Sequence, residues 1–285
     1  MELYTRSYTG LAIQLAHYFG IPLPILDHST LNEAQDVQAG ATLGTNELQR
    51  VNYFAIGNGG HKHESGVNNF PLLSNKIHRS RDTGLFNQIP FVLRPVDNDL
   101  TAIERKDYAM RKLISHAGNN YFGYFLKRLD KSGLSIKVQD RVIDNNQNVA
   151  ITDFIPSSND LKPVPIDLAN AGVNTVQGKY ISATVNLVIN VTAFDAEEII
   201  NACEILFGNS YYAMISELSL IAGVDRQVSV TDGLGGVFNF DEAICTQVAE
   251  HIPVLQPVFS QRDGFTMAAE VGGIEPLLNI DLASP

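Results

Sequence analysis

QIPFVLRP (Gln88–Pro95), NDLTAIERKDYAMRKLI (Asn98–Ile114), YFGYFLKRL (Tyr121–Leu129) and LSIKVQDRV (Leu134–Val142) follow one another within the stretch Gly84 to Val142, and their reading sets the fold class. The first is apolar, rich in β-formers and closed by a proline, which predicts a short buried strand. The second opens with capping-box spacing: Thr101 is placed to accept from the Glu104 N–H while Glu104 reaches back to the Thr101 N–H, so a helix is expected there. Ile103, Met110 and Ile114 then share one face, with Arg105 and Lys112 opposite, and Gly118, Asn119 and Asn120 stop it. The third segment suits a pleated surface. In the fourth, Leu134, Ile136, Val138 and Val142 alternate with Ser135, Lys137, Gln139 and Arg141. That alternation predicts a half-buried antiparallel strand, paired with Tyr121–Leu129 across the turn at Lys131, Ser132 and Gly133.

Working outward, NVAITDF after the turn at Asp144–Gln147 extends this to a three-stranded meander from Tyr121 to Phe154. Toward the N-terminus, Arg50–Ile56 predicts a strand and Tyr8–Tyr18 an amphipathic helix broken by Gly20. Leu26–Glu47 and Lys62–Arg81 are polar with little period and are expected to be extended arms. Toward the C-terminus, Ile155–Val173 holds Pro156, Pro163 and Pro165 and is expected to be an extended connector. Gly178–Phe194 predicts a long strand. A helix is expected to start at Asp195, three residues before Glu198, with Ile199, Cys203, Leu206 and Phe207 on one face and Gly208 as its stop. Ile215–Ile221 reads as a strand, with a helix over Tyr211–Ala222 as the alternative. After the turn cluster Thr231–Gly236, a helix is predicted over Asp241–Ile252, carrying Ile244, Cys245 and Val248 and ended by Pro253. The tail to Pro285 is expected to be extended. These elements make an α+β fold, mainly antiparallel sheet with a few packed helices and long extended arms, divided into 1–83, 84–154 and 155–285.

With 285 residues, 45% hydrophobic and 18% charged, the chain can bury a large core. Its 31 acidic against 20 basic residues, a net charge of −11, argue against a surface that binds nucleic acid by neutralising phosphates. Cys203 and Cys245 lie in apolar patterns and are expected to be buried free thiols. The N-terminal residues show no basic segment leading into a long apolar run, so neither a signal peptide nor a membrane span is expected.

Four groups of residues invite a chemical reading. His61 and His63 beside Glu64 make a His-x-His pair, but a metal needs three or four ligands and neither cysteine is near in sequence. The glycine clusters Gly57–Gly60 and Gly233–Gly236 lack the lysine and the spacing of phosphate-binding loops, and tight turns explain them better. Asp195, Glu197, Glu198, Asp241 and Glu242 cluster at predicted helix starts, where the dipole favours negative charge. Tyr121, Phe122, Tyr124 and Phe125 fit a stacking platform or a strand buried on both faces. None of these assigns a catalytic, cofactor-binding or metal residue. The alternative they leave is a soluble enzyme or carbohydrate-binding module with a site near Gly57–Glu64 and Tyr121–Phe125.

The series YFAIGNGGH, IPFVLRPVDNDLTAIERKDYAMRKL, NNYFGYFLKRLD, a hairpin, a proline-rich connector and ISELSLIAGVDRQ resembles virion structural proteins of contractile-tailed bacteriophages, from the neck, tail or baseplate. The resemblance covers roughly residues 50 to 250, by segment order. It implies a non-enzymatic subunit of a symmetric assembly, made in the host cytoplasm, whose partners are copies of itself and other virion proteins. No cofactor and no membrane partner belong to that picture.

Overall fold

Two compact units make up the chain: Met1–Leu129 with Asn190–Phe265, and Asp130–Ile189 with Thr266–Pro285. The sequence reading cut the chain at 83/84 and 154/155 instead. The structure, a computed structural model, describes residues 4–63, 71–144, 146, 148–162 and 174–279. In chain order the elements are β1 (Thr5–Arg6), α1 (Tyr8–Phe19), α2 (Leu31–Gln35), β2 (Arg50–Gly57), β3 (His61–His63), β4 (Pro71–Asn75), β5 (Gln88–Ile89), β6 (Val92–Pro95), β7 (Tyr108–His116), β8 (Asn119–Arg128), β9 (Ile136–Ile143), β10 (Val149–Asp153), β11 (Asn174–Val191), α3 (Ala193–Phe207), β12 (Met214–Thr231), β13 (Val237–Pro257) and β14 (Phe265–Asn279). The fold is α+β, antiparallel sheets with a few helices. No helix among the described residues is long and apolar enough to cross a membrane.

The first unit is built on the sheet β1-β13-β12-β2-β8-β6, with β5 on β2 and β7 on β8. Its core joins Tyr53 and Ala55 of β2, Ala109 and Met110 of β7, Phe125 and Leu126 of β8, and Ile221, Ala243 and Val248. Leu31 and Val37 complete that core from Leu26–Glu47, so this segment is a packed cover and not an arm. Asn32 anchors it: its amide donates to the Val37 carbonyl at 2.9 Å and the Ala243 carbonyl at 2.8 Å, and its oxygen accepts from the Thr246 N–H at 2.8 Å and hydroxyl at 2.7 Å. A buried amide with its bonding capacity used in this way fixes a loop as firmly as a strand does.

Two predicted helices are strands. Thr101 and Glu104 do form the expected reciprocal bonds, 2.8 Å from the Thr101 N–H and 3.4 Å from the Glu104 N–H, but they close only a 3-10 turn at Glu104–Asp107. The chain then enters β7, which pairs with β8 from Tyr108↔Lys127 to His116↔Asn119. Ala117 and Gly118 both have positive φ, 49° and 82°, as a two-residue hairpin turn with the strands' own twist requires. The second is Asp241–Ile252, which lies inside β13, and Pro253 sits within that strand opposite Glu217. Cys245 is buried there at a positive φ of 50°, beside a register shift, and donates its thiol to the Ala41 carbonyl. The strand Gln88–Pro95 is split into β5 and β6. Helix α3 begins one turn earlier than expected: Thr192 is its N-cap and Asp195 the residue that returns the capping-box bond.

The second unit is the sheet β10-β9-β11-β14. β9 pairs with β10 and β11 and not with β8, so the predicted Tyr121–Phe154 meander does not form. Pro163, Pro165 and the rest of 163–173 lie outside the described residues.

Candidate functional site

Gly57–His61 folds down onto β12, and this explains the glycines. A Cβ on Gly57 would stand 2.4 Å from Glu217 Oε1, and one on Gly60 2.4 Å from the Ser216 carbonyl oxygen. Glu217 is fully buried, and its carboxylate collects backbone donors. Oε1 accepts from the Gly59 N–H at 3.1 Å and the Asn87 N–H at 2.9 Å, and Oε2 from the Phe86 N–H at 2.8 Å. His78 Nε2 lies 3.3 Å from Oε2. Burial alone pushes this carboxyl up, but His78 and the Asn87 and Phe86 amides outweigh it and hold it below the ordinary carboxylate value.

The His78 ring is sandwiched between His251, 3.7 Å away and tilted by 5°, and Phe86, 4.0 Å away. His251 shares a hydrogen bond with the Ser219 hydroxyl at 2.8 Å through Nδ1, while Nε2 stands 3.2 Å from the Asp82 backbone carbonyl. Burial, with the nearby His78 second, pushes the His251 imidazole down to about 4. A serine bonded to a histidine suggests a nucleophile, but Ser219 is wholly buried and the far ring nitrogen faces a carbonyl, not an orienting carboxylate. The cluster clamps residues 76–87 and 57–61 to β12 and β13; it does not present an exposed reacting group.

A second sealed cluster lies under α3. Asp195 accepts from the Tyr108 hydroxyl at 2.8 Å, from Lys127 and from the Thr192 N–H at 2.7 Å. Glu198 holds Arg94 with both oxygens, at 2.9 and 2.6 Å. Of the carboxylates singled out from sequence, Asp195 and Glu198 therefore cap and tie α3, Glu197 is exposed, and Asp241 lies in β13 and not at a helix start. Glu242 is different: it is buried in β13, accepts the Arg111 N–H at 3.0 Å, and burial pushes it up to about 8. In the aromatic segment, Phe122, Tyr124 and Phe125 are buried, and Tyr124 donates to Asp99 at 2.7 Å. Those three are core side chains, not a stacking platform. His61 is buried beside Gly60, His63 ends β3, and Glu64 lies outside the described residues. Among the described residues no group of three or more His, Cys, Asp or Glu is arranged to hold a metal ion. Cys203 is buried in α3, and burial pushes its thiol up to about 12.

Among the described residues, each unit exposes apolar side chains. The first unit turns Thr9, Gly10, Ile13 and Ala16 of α1 inward and leaves Tyr8, Leu11, Leu15 and Tyr18 in solvent, at 36%, 47%, 57% and 82% exposure. A shallow hollow of about 500 Å³ runs beside Tyr18, lined also by Ile13, Gln14, His17, Arg50 and Val51. In the second unit the registers put Ile136, Val138, Asp140 and Val142 of β9 on one face, with Ala150 and Thr152 of β10 and Lys179, Ile181, Ala183 and Val185 of β11 across from this row. Ile136 is 74% exposed, and Val138 and Val142 are 42% exposed. The other face carries Arg141, bonded to Ser182 and Glu270, together with exposed Val149 and Ile151.

Sequence reasoning missed the Glu217, His78 and His251 clamp and both surfaces. A lone acid inside the apolar run ISELSLI was the available signal for the clamp, since a buried charge requires partners. A family model described as a family of unknown function, DUF7208, matches residues 1–283. No curated protein and no solved structure matches the chain.

Proposed function

Taking as premise that the chain belongs to DUF7208, a family of unknown function, we propose that it is a non-enzymatic virion structural subunit of a contractile-tailed bacteriophage. It joins copies of itself and other virion proteins into a ring or wedge at the neck, tail or baseplate, after assembly in the host cytoplasm.

The observation that carries this reading is the four-stranded sheet of the second unit. A sheet keeps aliphatic side chains in a row when another layer covers them. Ile136, Val138 and Val142 lie along such a row, broken by Asp140, and stand in solvent. Among the described residues no layer covers this row, which suits a chain that meets partners in an assembly. The sealed polar clusters support the same reading, because they tie segments together instead of opening onto a cleft. The net charge of −11 suits a component that works beside packaged DNA without adhering to it. The resemblance in segment order points to the same class.

The test is to supply a tagged copy during infection and purify the particles through a density gradient. The tag is expected to travel with intact particles, and antibody against it to mark the neck, tail or baseplate. A chain that stays in the soluble fraction while particles form without it overturns the proposal.

A further inference from the structure

The outer face of α1 has a spacing that its own fold does not use. Tyr8, Leu11, Leu15 and Tyr18 are separated by three, four and three residues, the a/d spacing of a helix that packs along another helix. Their side chains point away from the core, while Ile13 and Ala16 on the inner face pack against the fold. Phe19, 64% exposed and edge-on to Tyr18 at 5.0 Å, widens the ridge, and Tyr4, 41% exposed, extends it. At roughly 200 Å² for each large side chain, the ridge exposes on the order of 600 Å². That is the upper end of what a monomer leaves bare and approaches the ~800 Å² per partner of a stable interface.

We propose that this ridge is a two-fold contact with α1 of a second copy, in antiparallel orientation. The contact rests on the assembly reading and names one of its junctions. The spacing reads the same in both directions, so the ridge is complementary to itself across a two-fold axis. When the two helices run antiparallel about a two-fold axis, one register sets Leu11 against Leu15 of the second copy and Tyr8 against Tyr18 at both ends. No acidic residue lies in α1 and His17 is its only basic one, so two copies meet without opposed like charges along the seam. The hollow beside Tyr18 has room for the Tyr8 ring of the second copy. Both leucines are half-exposed in the single chain, so changing them leaves the fold in place.

The test uses the purified full chain and two variants, Leu11→Lys and Leu15→Glu, with mass followed by sedimentation over roughly 1 to 100 µM. Each variant alone buries an unpaired charge in the seam and is expected to weaken association about 100-fold or more. Mixed one to one, they place the introduced ammonium opposite the introduced carboxylate and leave a leucine pair at the other site. The mixture is expected to return to within about tenfold of the wild-type dissociation constant. A parallel pairing gives no such rescue. Variants that associate like wild type, a mixture that stays monomeric while wild type associates, or a wild type that is monomeric across the range each overturn the contact. Incorporation into particles, read separately, then shows whether the assembly reading stands without it. Unchanged melting temperatures in both variants confirm that the fold is intact.

Discussion

Glu217→Gln is the substitution that probes the central clamp most directly. The wild-type carboxylate accepts three backbone N–H groups, at 2.8, 2.9 and 3.1 Å, and faces His78. Glutamine keeps one oxygen for the Gly59 and Asn87 amides, but its NH2 group then points at the Phe86 N–H and at His78. One charge-assisted bond is lost, about 1.5–3 kcal/mol, and a buried donor is left without an acceptor, about 1–3 kcal/mol. The expected cost is about 4 kcal/mol, a large part of the ~5–15 kcal/mol that keeps a domain folded. For a unit of roughly 200 residues this lowers the melting temperature by about 10 °C at pH 7. Amide hydrogen exchange localises the effect: Gly59, Phe86 and Asn87 should lose protection ahead of β12 itself. Because the folded carboxyl lies below its unfolded value, its contribution is complete above the ordinary carboxylate range and is lost as pH falls through the folded value. The gap between wild type and variant should therefore be widest near neutral pH and shrink below about pH 4. A melting temperature within about 2 °C of wild type at pH 7, with those three amides unchanged, refutes the reasoning.

His251 sits at about 4 when folded against 6.5 as the ordinary value, so its contribution is complete above pH 6.5 and is lost as pH falls toward about 4. His251→Asn should lower the melting temperature at pH 7 and flatten its dependence on pH across that window; an unchanged slope would assign the titration to another group. Glu242 has the opposite sign: its folded value of about 8 stands above the ordinary 4.5, so its contribution is complete below 4.5 and is lost as pH rises through 8. Glu242→Gln keeps an acceptor for the Arg111 N–H, so it should match wild type at pH 5 and exceed it above pH 8, and thermal melts at the two pH values decide the matter.

The segments read correctly from sequence are those whose local signals agree with their burial. Helix α1 has its cap at Ser7 and its left-handed stop at Gly20, and α3 ends at Gly208 as read. The turn Thr231–Gly236 joins β12 to β13 as its glycines and aspartate require, whereas β9 forms as its alternation predicts but without the expected buried face. The misread segments are those where tertiary burial erased the period. Every residue from Glu242 to Ile252 is buried, the polar ones included, and Glu242, Thr246, Gln247, Glu250 and His251 fall at helical spacing, so β13 reads as a helix. β7 begins with three buried residues in a row, Tyr108, Ala109 and Met110, at two register shifts, which mimics helical spacing after a genuine capping box.

The sequence by itself determined the fold class, the acidic charge, the buried thiols and most of the strand-forming segments, because these depend on composition and on neighbours a few residues away. Which strands pair was decided only in three dimensions: β9 leaves β8 for β10 and β11, which give it ladders of five and seven residue pairs on its two edges. The clamp of Glu217, His78 and His251 is likewise a tertiary product. Its members come from three segments, with His78 more than a hundred residues before Glu217 and His251, and only their shared burial gives each a reason to bond the others.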